Sequence, residues 1–120
     1  MKHERAVLIV EDDADVRTSL ATLIEFEGYR VLEAANGVDA LRLCRSSEVC
    51  LILLDIFMPV MNGWAFLDER DEDPLLAALP VVVVTADSAA AEVAAQRAVV
   101  AALIKPVDHD RLLELIEQHC

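Results

Sequence analysis

The chain has 120 residues, of which 56% are apolar types, so one domain with a continuous core is expected and a disordered chain is not. Ten basic and 22 acidic residues give a net charge of −12 at pH 7. This balance argues against direct binding to nucleic acid or to an anionic membrane surface, because both need clustered Lys and Arg. The longest apolar run, 98–104, is far shorter than the roughly 20 residues of a membrane-spanning helix.

Five short apolar runs, typical of strands in length, alternate with segments of helical character. Strands are predicted at 6–10, 30–33, 49–54, 80–84 and 101–104. The first, second and fifth helices follow from apolar residues at helical spacing, and Asp108 is the predicted N-cap of the fifth. The fourth helix is predicted over 88–98 from its alanine content. The polar stretch 68–73 is interpreted as the end of the third helix and its loop.

A β-α unit repeated five times predicts a parallel sheet covered by helices on both faces. Only the second strand, in which Arg30 and Glu33 flank two apolar residues, has the polar character of an exposed edge. No long linker, internal repeat or low-complexity segment interrupts the pattern. Residues 1–120 are therefore predicted to form a single domain.

Polar side chains follow four of the predicted strands where each strand ends. They are Glu11, Asp12 and Asp13 after the first strand, Asp55 after the third, Thr85 after the fourth and Lys105 after the fifth. The carboxyl ends of parallel strands meet at one edge of the sheet, where ligands bind. Carboxylates with open positions suit Mg²⁺, and Lys and Thr beside them would hold a phosphoryl group. The set predicts phosphoryl transfer onto a carboxylate.

Each of these residues has a structural alternative when it is taken alone. Acids after a strand often cap the next helix, and a lysine at a strand end often extends to water. Their joint occurrence at four strand ends favours the site. Other polar residues are interpreted structurally: His3, His109 and His119 have no ligand spacing, Trp64 is a packing residue, and the acids of 68–73 form a solvated face.

The three cysteines, Cys44, Cys50 and Cys120, have no C-x-x-C spacing. Neither a zinc site nor a disulfide framework is therefore expected. Cys50 is interpreted as a small apolar residue of a buried strand. A reducing, cytoplasmic compartment is the simplest expectation.

Four motifs in order resemble the receiver domain of two-component response regulators, of the chemotaxis-regulator-like type. They are VLIVEDDADVR at 7–17, LLDIFMPVMNG at 53–63, VVVTA at 82–86 and IKPVD at 104–108. The resemblance covers essentially the whole chain. It implies a flavodoxin-like, doubly wound (βα)5 three-layer sandwich with a five-stranded parallel sheet of order 2-1-3-4-5.

The resemblance also implies roles for the residues at the strand ends. Asp55 matches the phosphorylated aspartate, Thr85 the hydroxyl residue that bonds the phosphoryl group, and Lys105 the lysine that pairs with it. The Lys105–Pro106 peptide bond is expected to be cis, as it usually is in the family.

The Mg²⁺ ligands implied by the resemblance are Asp12 directly, Glu11 through water, Asp55, and the backbone carbonyl of Phe57. Asp13 then falls one place beyond the acid pair and is expected to be an exposed loop acid.

One departure from the family pattern concerns the fifth strand. The family usually carries Tyr or Phe three residues before the lysine, and this chain has Ala102. The glycine common before that strand is also missing. Both changes affect the output surface and leave the metal site intact.

The resemblance implies a cytoplasmic, bacterial phosphorelay protein that accepts phosphoryl on Asp55 from a sensor histidine kinase or a phosphotransfer protein. Output passes to an unknown protein or domain through the surface of the fourth helix, fifth strand and fifth helix. The domain is expected not to be an enzyme, apart from self-phosphorylation with small donors and autodephosphorylation. No DNA-binding or enzymatic output domain is expected within these residues.

Three alternatives belong to other functional classes. A phosphatase of the haloacid dehalogenase type needs a second Asp where this chain has Phe57. A nucleotide-binding module needs a Gly-rich loop after the first strand. A phosphorylation-independent adaptor of the same fold would not need the complete set of site residues.

Overall fold

The computed structural model describes residues 4–120, in which five strands and five helices alternate. The strands are β1 (Ala6–Val10), β2 (Arg30–Ala34), β3 (Val49–Leu54), β4 (Val81–Thr85) and β5 (Ala101–Ile104). The helices are α1 (Ala14–Phe26), α2 (Gly37–Ser46), α3 (Gly63–Glu72), α4 (Ser88–Ala94) and α5 (His109–His119).

All strand pairs are parallel, and the sheet order is β2-β1-β3-β4-β5. Every residue of β1, β3 and β4 is buried, which explains why these strands are continuous apolar runs. In the register, Val10 pairs with both Ala34 and Leu54, so the residues that follow β1 and β3 leave the sheet side by side. The predicted topology is confirmed.

Successive strand residues point to opposite faces of the sheet, so two separate hydrophobic cores form, one on each face. Leu8, Ile52 and Val83 pack on the face covered by α2, α3 and α4, where Phe66 is the largest fully buried side chain. The opposite strand positions pack under α1 and α5. This arrangement makes three layers, and Trp64 packs against the first core as expected.

All five helices begin at an Asp or Asn whose side chain accepts hydrogen bonds from backbone N–H groups of the first turn. The caps are Asp13, Asn36, Asn62, Asp87 and Asp108. All five lie in loops between a strand and the next helix, at the carboxyl edge of the sheet, so the helix caps and the site residues belong to the same loops. The predicted cap at Asp108 is confirmed.

The fourth and fifth β-α units differ from the sequence prediction. Helix α4 ends at Ala94, four residues before the predicted end, and turns follow. The alanine content favoured a longer helix, but the Arg97 guanidinium binds Asp68 and Asp71 of α3, and Val99 packs in the core. Strand β5 is a second, half-exposed edge of the sheet, which its apolar sequence did not indicate.

The cysteine prediction is wrong. Cys50 and Cys120 form a disulfide with a Cα–Cα distance of 5.4 Å, and Cys44 is a buried free thiol. The pair is 70 residues apart in sequence, and only the packing of α5 on the sheet brings the end of α5 to the start of β3. Spacing along the chain carries no sign of such a contact.

No helix within residues 4–120 has the length and apolar composition needed to cross a membrane. His109 begins α5 at an exposed position, and the His119 ring lies within hydrogen-bonding distance of the Leu115 carbonyl. Both fit the structural interpretation. His3 lies outside the described residues.

Candidate functional site

The carboxyl ends of β1 and β3 bring three acids together at one edge of the sheet. Carboxylate oxygens of Glu11, Asp12 and Asp55 lie within 4.8 Å of one another, the one group with this ligand geometry found in residues 4–120. The acids of the stretch 68–73 do not form a second group there. Asp68 and Asp71 instead bind Arg97, and Asp73 binds Arg45.

Asp55 is held by the backbone on both sides. Its N–H donates to the carbonyl of Val10 at 3.0 Å, and the N–H of Ile56 donates to Asp55 Oδ1 at 2.8 Å. The side chain is almost completely buried. Burial and the nearby charge of Glu11 raise the pKa of Asp55 to about 6, although Lys105 acts in the opposite direction.

Lys105 extends from the end of β5 across the edge to the acids. Its Nζ donates to Glu11 Oε1 at 2.6 Å and lies 3.9 Å from Asp55 Oδ2. Burial opposes ionisation of Glu11, but the hydrogen bond from Lys105 and one from the Asp13 N–H hold the pKa of Glu11 below its usual value. Burial likewise opposes the charge on Lys105, and Glu11 and Asp55 raise the pKa of Lys105 above its usual value.

The two acids after Glu11 have different surroundings. Asp12 belongs to the cluster, and partial desolvation together with Glu11 raises the pKa of Asp12. Asp13 is exposed and outside the cluster, where its carboxylate accepts from the N–H groups of Asp15 and Val16 at the start of α1. Asp12 and not Asp13 therefore lies beside Asp55, and the role of Asp12 as a metal ligand stays a prediction.

The remaining expected residues lie at strand ends or in the loops around the same edge. Thr85 is fully buried at the end of β4, and its Oγ1 accepts from the Asp87 N–H at 3.2 Å. The backbone N–H of Lys105 donates to the Thr85 carbonyl, and the Lys105–Pro106 bond is cis as expected. Phe57 follows Asp55 by two residues in the β3–α3 loop, with an exposed ring.

Arg17, the last residue of the motif at 7–17, is a supporting residue to which the sequence analysis assigned no role. Its Nη1 donates to the Glu11 carbonyl at 2.7 Å, and its Nε binds Glu33 at 3.2 Å. Arg17 therefore ties the backbone of the acid pair to β2. An arginine six residues after an acid is a common sequence pattern, so the sequence alone does not indicate this hydrogen bond.

Gly63 and Val60 shape the β3–α3 loop. The Gly63 N–H donates to the Ile56 carbonyl at 2.8 Å, and a Cβ at Gly63 would lie 2.7 Å from the Asp55 carbonyl oxygen and from the Ile56 Cα. Only glycine permits this close approach. Val60 has φ of 68° with an exposed side chain, a costly conformation for a β-branched residue.

The donor set fits a divalent cation. Three acids face one ammonium group, so the cluster carries excess negative charge when its acids are ionised. All available ligands are hard oxygens, which Mg²⁺ prefers. Like charges held together without a cation repel, in agreement with the raised pKa of Asp55 and of Asp12.

Comparison with known proteins gives a consistent result. A family model described as the response regulator receiver domain matches residues 7–117. PilH of Pseudomonas aeruginosa is 35% identical over 92% of this chain and 93% of its own length. ZraR, a transcriptional regulatory protein of Salmonella typhimurium, is 38% identical over 93% of this chain, which spans only 25% of the length of ZraR.

Solved structures agree at the level of the fold. The response regulator TrrA of Thermotoga maritima, crystallised with Mg²⁺ and BeF, has a TM-score of 0.86 and 26% identity, covering 97% of this chain and 99% of TrrA. A CheY-like receiver domain protein of Methanospirillum hungatei has a TM-score of 0.83 and 29% identity over 95% of this chain and 91% of its own.

Proposed function

Because the chain belongs to the response regulator receiver domain family, we propose that it accepts a phosphoryl group on Asp55 in a Mg²⁺-dependent phosphorelay. Residues 1–120 make up one receiver domain in this proposal. The phosphoryl donor is the phosphohistidine of a sensor kinase or of a phosphotransfer protein, and the compartment is the bacterial cytoplasm.

The observation that supports this proposal is the convergence of four strand ends on Asp55. Glu11, Asp12 and Lys105 lie around the carboxylate of Asp55, and Thr85 ends the neighbouring strand with a buried hydroxyl. A structural role does not require two buried acids and a third, exposed acid beside one another. Phosphoryl transfer to a carboxylate uses every one of these groups.

The two oxygens of Asp55 have different tasks. Oδ1 accepts the hydrogen bond from the Ile56 N–H, which fixes the carboxylate plane and lowers the reactivity of that oxygen. Oδ2 faces Lys105, whose Nζ lies 3.9 Å away. In the proposed transfer, Oδ2 attacks phosphorus, an O–P bond forms, and the P–N bond of the phosphohistidine breaks.

Lys105 and Thr85 stabilise the charge of the transferred group. The Lys105 ammonium already lies near Asp55 Oδ2 and exchanges its bond to Glu11 for one to a phosphoryl oxygen. The Thr85 hydroxyl donates to a second phosphoryl oxygen while its own oxygen still accepts from Asp87. Arg17 holds the backbone carbonyl of Glu11 in place during this exchange.

Asp12, Asp55 and the Phe57 carbonyl would hold Mg²⁺ directly, and Glu11 through water. The bound cation supplies positive charge that offsets the negative charge of the acids and of the phosphoryl oxygens. It also favours the ionised form of Asp55, whose pKa is raised to about 6 by burial and by Glu11.

Signalling in this proposal passes through the surface made by α4, β5 and α5 to a protein or domain outside these residues. Ala102 packs half-buried against the core. Its side chain is a single methyl group without rotamers, so Ala102 cannot act as a rotamer switch. Movement of the 85–98 backbone therefore replaces the usual aromatic switch. Activity beyond self-phosphorylation and autodephosphorylation is not part of this function.

Intact mass spectrometry after incubation with Mg²⁺ and acetyl phosphate tests the proposal. Wild-type protein is expected to gain one base-labile phosphoryl group, and Asp55→Asn none. Asp13→Asn is the matched control, because it changes an acid of the same edge that caps α1 and should leave incorporation intact. Equal incorporation by wild type and Asp55→Asn would rule out Asp55 as the acceptor.

A further inference from the structure

The disulfide at the end of the sheet opposite the acids joins two cysteines in very different surroundings. Cys50 is 1% exposed at the start of β3, whereas Cys120 is half-buried after the last turn of α5. A surface cleft of about 330 Å³ is lined by Cys120 together with Glu27, Tyr29 and Glu117. The bond can therefore be approached from the Cys120 side and not from the Cys50 side.

From this asymmetry we propose that the Cys50–Cys120 disulfide is a redox-sensitive site, reduced by a dithiol that enters this cleft and attacks Cys120. Disulfides in intracellular proteins are usually redox-active and not structural. The reduced state is also accommodated, because the Ala6 carbonyl lies 3.4 Å from Cys50 Sγ and accepts from the thiol once it forms.

Reduction takes place by two successive thiol–disulfide exchange steps. A thiolate of the reductant attacks Cys120 Sγ, the bond between the two protein sulfurs breaks, and Cys50 leaves as a thiolate that takes up a proton. The second thiolate of the reductant then attacks the mixed disulfide and releases Cys120. Two electrons pass from the dithiol to the protein, and the reductant leaves as its own disulfide.

Reduction loosens only the last turn of α5. Leu112, Leu115 and Ile116 stay anchored in the core under α5, so the domain remains folded. The bond from the Cys120 N–H to the Ile116 carbonyl then has no covalent support, and the final turn opens more often. Asp55 lies roughly 16 Å further along β3, so phosphoryl chemistry is unaffected.

The cleft also selects the reductant by charge. Glu27 and Glu117 line it, and burial together with these two acids raises the pKa of Tyr29. The attacking thiolate of glutathione carries additional carboxylate charge, so it is repelled more strongly than the thiolate of dithiothreitol. Added salt weakens this repulsion, so it should speed reduction by glutathione more than reduction by dithiothreitol.

Cys44 supplies the control thiol. It is buried in the other core, and burial raises the pKa of Cys44 to about 11. It forms no disulfide in the structure and should not react in the native protein.

The test combines thiol counting with thermal unfolding. After oxidation by air, unfolded wild type should show one alkylatable thiol, and three after native treatment with dithiothreitol. That treatment should lower the melting temperature by on the order of 10 °C. Cys120→Ser should have the lower melting temperature with or without dithiothreitol, and Cys44→Ala should respond as wild type does.

Any of three results would overturn the proposal. They are three free thiols after oxidation, reduction of the disulfide only after the protein has been unfolded, and a melting temperature that dithiothreitol does not change. Faster hydrogen exchange confined to 117–120 in the reduced protein would support it. Phosphoryl incorporation at Asp55 is measured in both redox states and should be equal, so failure of the phosphorelay proposal is recognised separately.

Discussion

Two sides of the molecule hold the site in different ways. The β1–β3 side is made of β1 (Ala6–Val10) and β3 (Val49–Leu54). Every residue of these two strands is buried, and most of them have large apolar side chains. The α4–β5 side, residues 88–104, has a seven-residue helix that buries only alanines and a strand with no fully buried residue. The acids follow the first side, and Lys105 follows the second.

Because of this difference in packing, the two sides are suited to different roles. A cluster of like charges needs rigid support to keep its acids together, and dense packing on both faces of β1 and β3 supplies it. A segment with few large apolar anchors opens locally at low cost. The α4–β5 side is therefore suited to follow Thr85 and Lys105 when they move toward a phosphoryl group.

The largest expected effect contrasts a core residue from each side. Ile52→Ala removes a fully buried side chain of β3 and should lower the free energy of unfolding by about 3–4 kcal/mol. Leu103→Ala removes a half-buried side chain of β5 and should cost about 1 kcal/mol. Urea unfolding of both variants measures the difference, and equal losses would remove the contrast between the two sides.

The next effect is stabilisation by Mg²⁺, which should act on the β1–β3 side. At a hundredfold excess over its dissociation constant, a ligand stabilises the folded state by about 2.7 kcal/mol, so the melting temperature should rise. Asp12→Ala removes one acid of the cluster and should weaken this rise.

The control for the Mg²⁺ experiment is Asp13→Ala. It removes the cap of α1 and should cost about 1 kcal/mol without metal, while the response to Mg²⁺ is kept. If Asp13→Ala loses the response and Asp12→Ala keeps it, the assignment of the acids is wrong by one residue.

A smaller effect is expected where the α4–β5 side is tied to α3. The Arg97 guanidinium donates to Asp68 at 3.0 Å and to Asp71 at 2.9 Å, and these acids raise the pKa of Arg97. Arg97→Gln should cost less than about 1 kcal/mol because the pair is partly exposed, but hydrogen exchange in 95–98 should quicken. Arg42→Gln breaks a more exposed pair within α2 and should change neither quantity.

The smallest effect concerns the strained loop after β3. Val60→Asn places a residue that tolerates positive φ where φ is 68°, and the exposed Val side chain contributes little packing. Stability should increase by about 0.5–1 kcal/mol. Leu75→Asn, at another exposed apolar position, should give no gain. A similar gain there would mean that the cause is the loss of an exposed apolar side chain and not relief of the strained φ.

Sequence alone predicted most of what lies on the β1–β3 side. The strand bounds 6–10 and 49–54 and the acids that follow them could be read because burial on both faces produces continuous apolar runs. The identities of Asp55, Thr85 and Lys105 followed from strand ends and from the family resemblance. In the structure Lys105 Nζ lies 3.9 Å from Asp55 Oδ2, and the chemical roles of all three residues stay predictions.

What could not be predicted depends on contacts between distant segments. Helix α4 ends at Ala94, and beyond it Arg97 pairs with acids of α3, a contact on which helix propensity contains no information. The disulfide joins residues that only the packing of α5 brings together. The φ of Val60 is opposed by its own side chain, so local preferences predict the wrong conformation there.

The position of Lys105 has a consequence for ligand binding. One ammonium group lies between two carboxylates, 2.6 Å from Glu11 and 3.9 Å from Asp55. A cation that neutralises Glu11 would release Lys105 toward an anion at Asp55. The two ligands would then bind with positive cooperativity, and linkage requires each to raise the affinity of the other by the same factor. Calorimetric titration of Mg²⁺ with and without beryllofluoride would measure that factor, and Lys105→Met should reduce it.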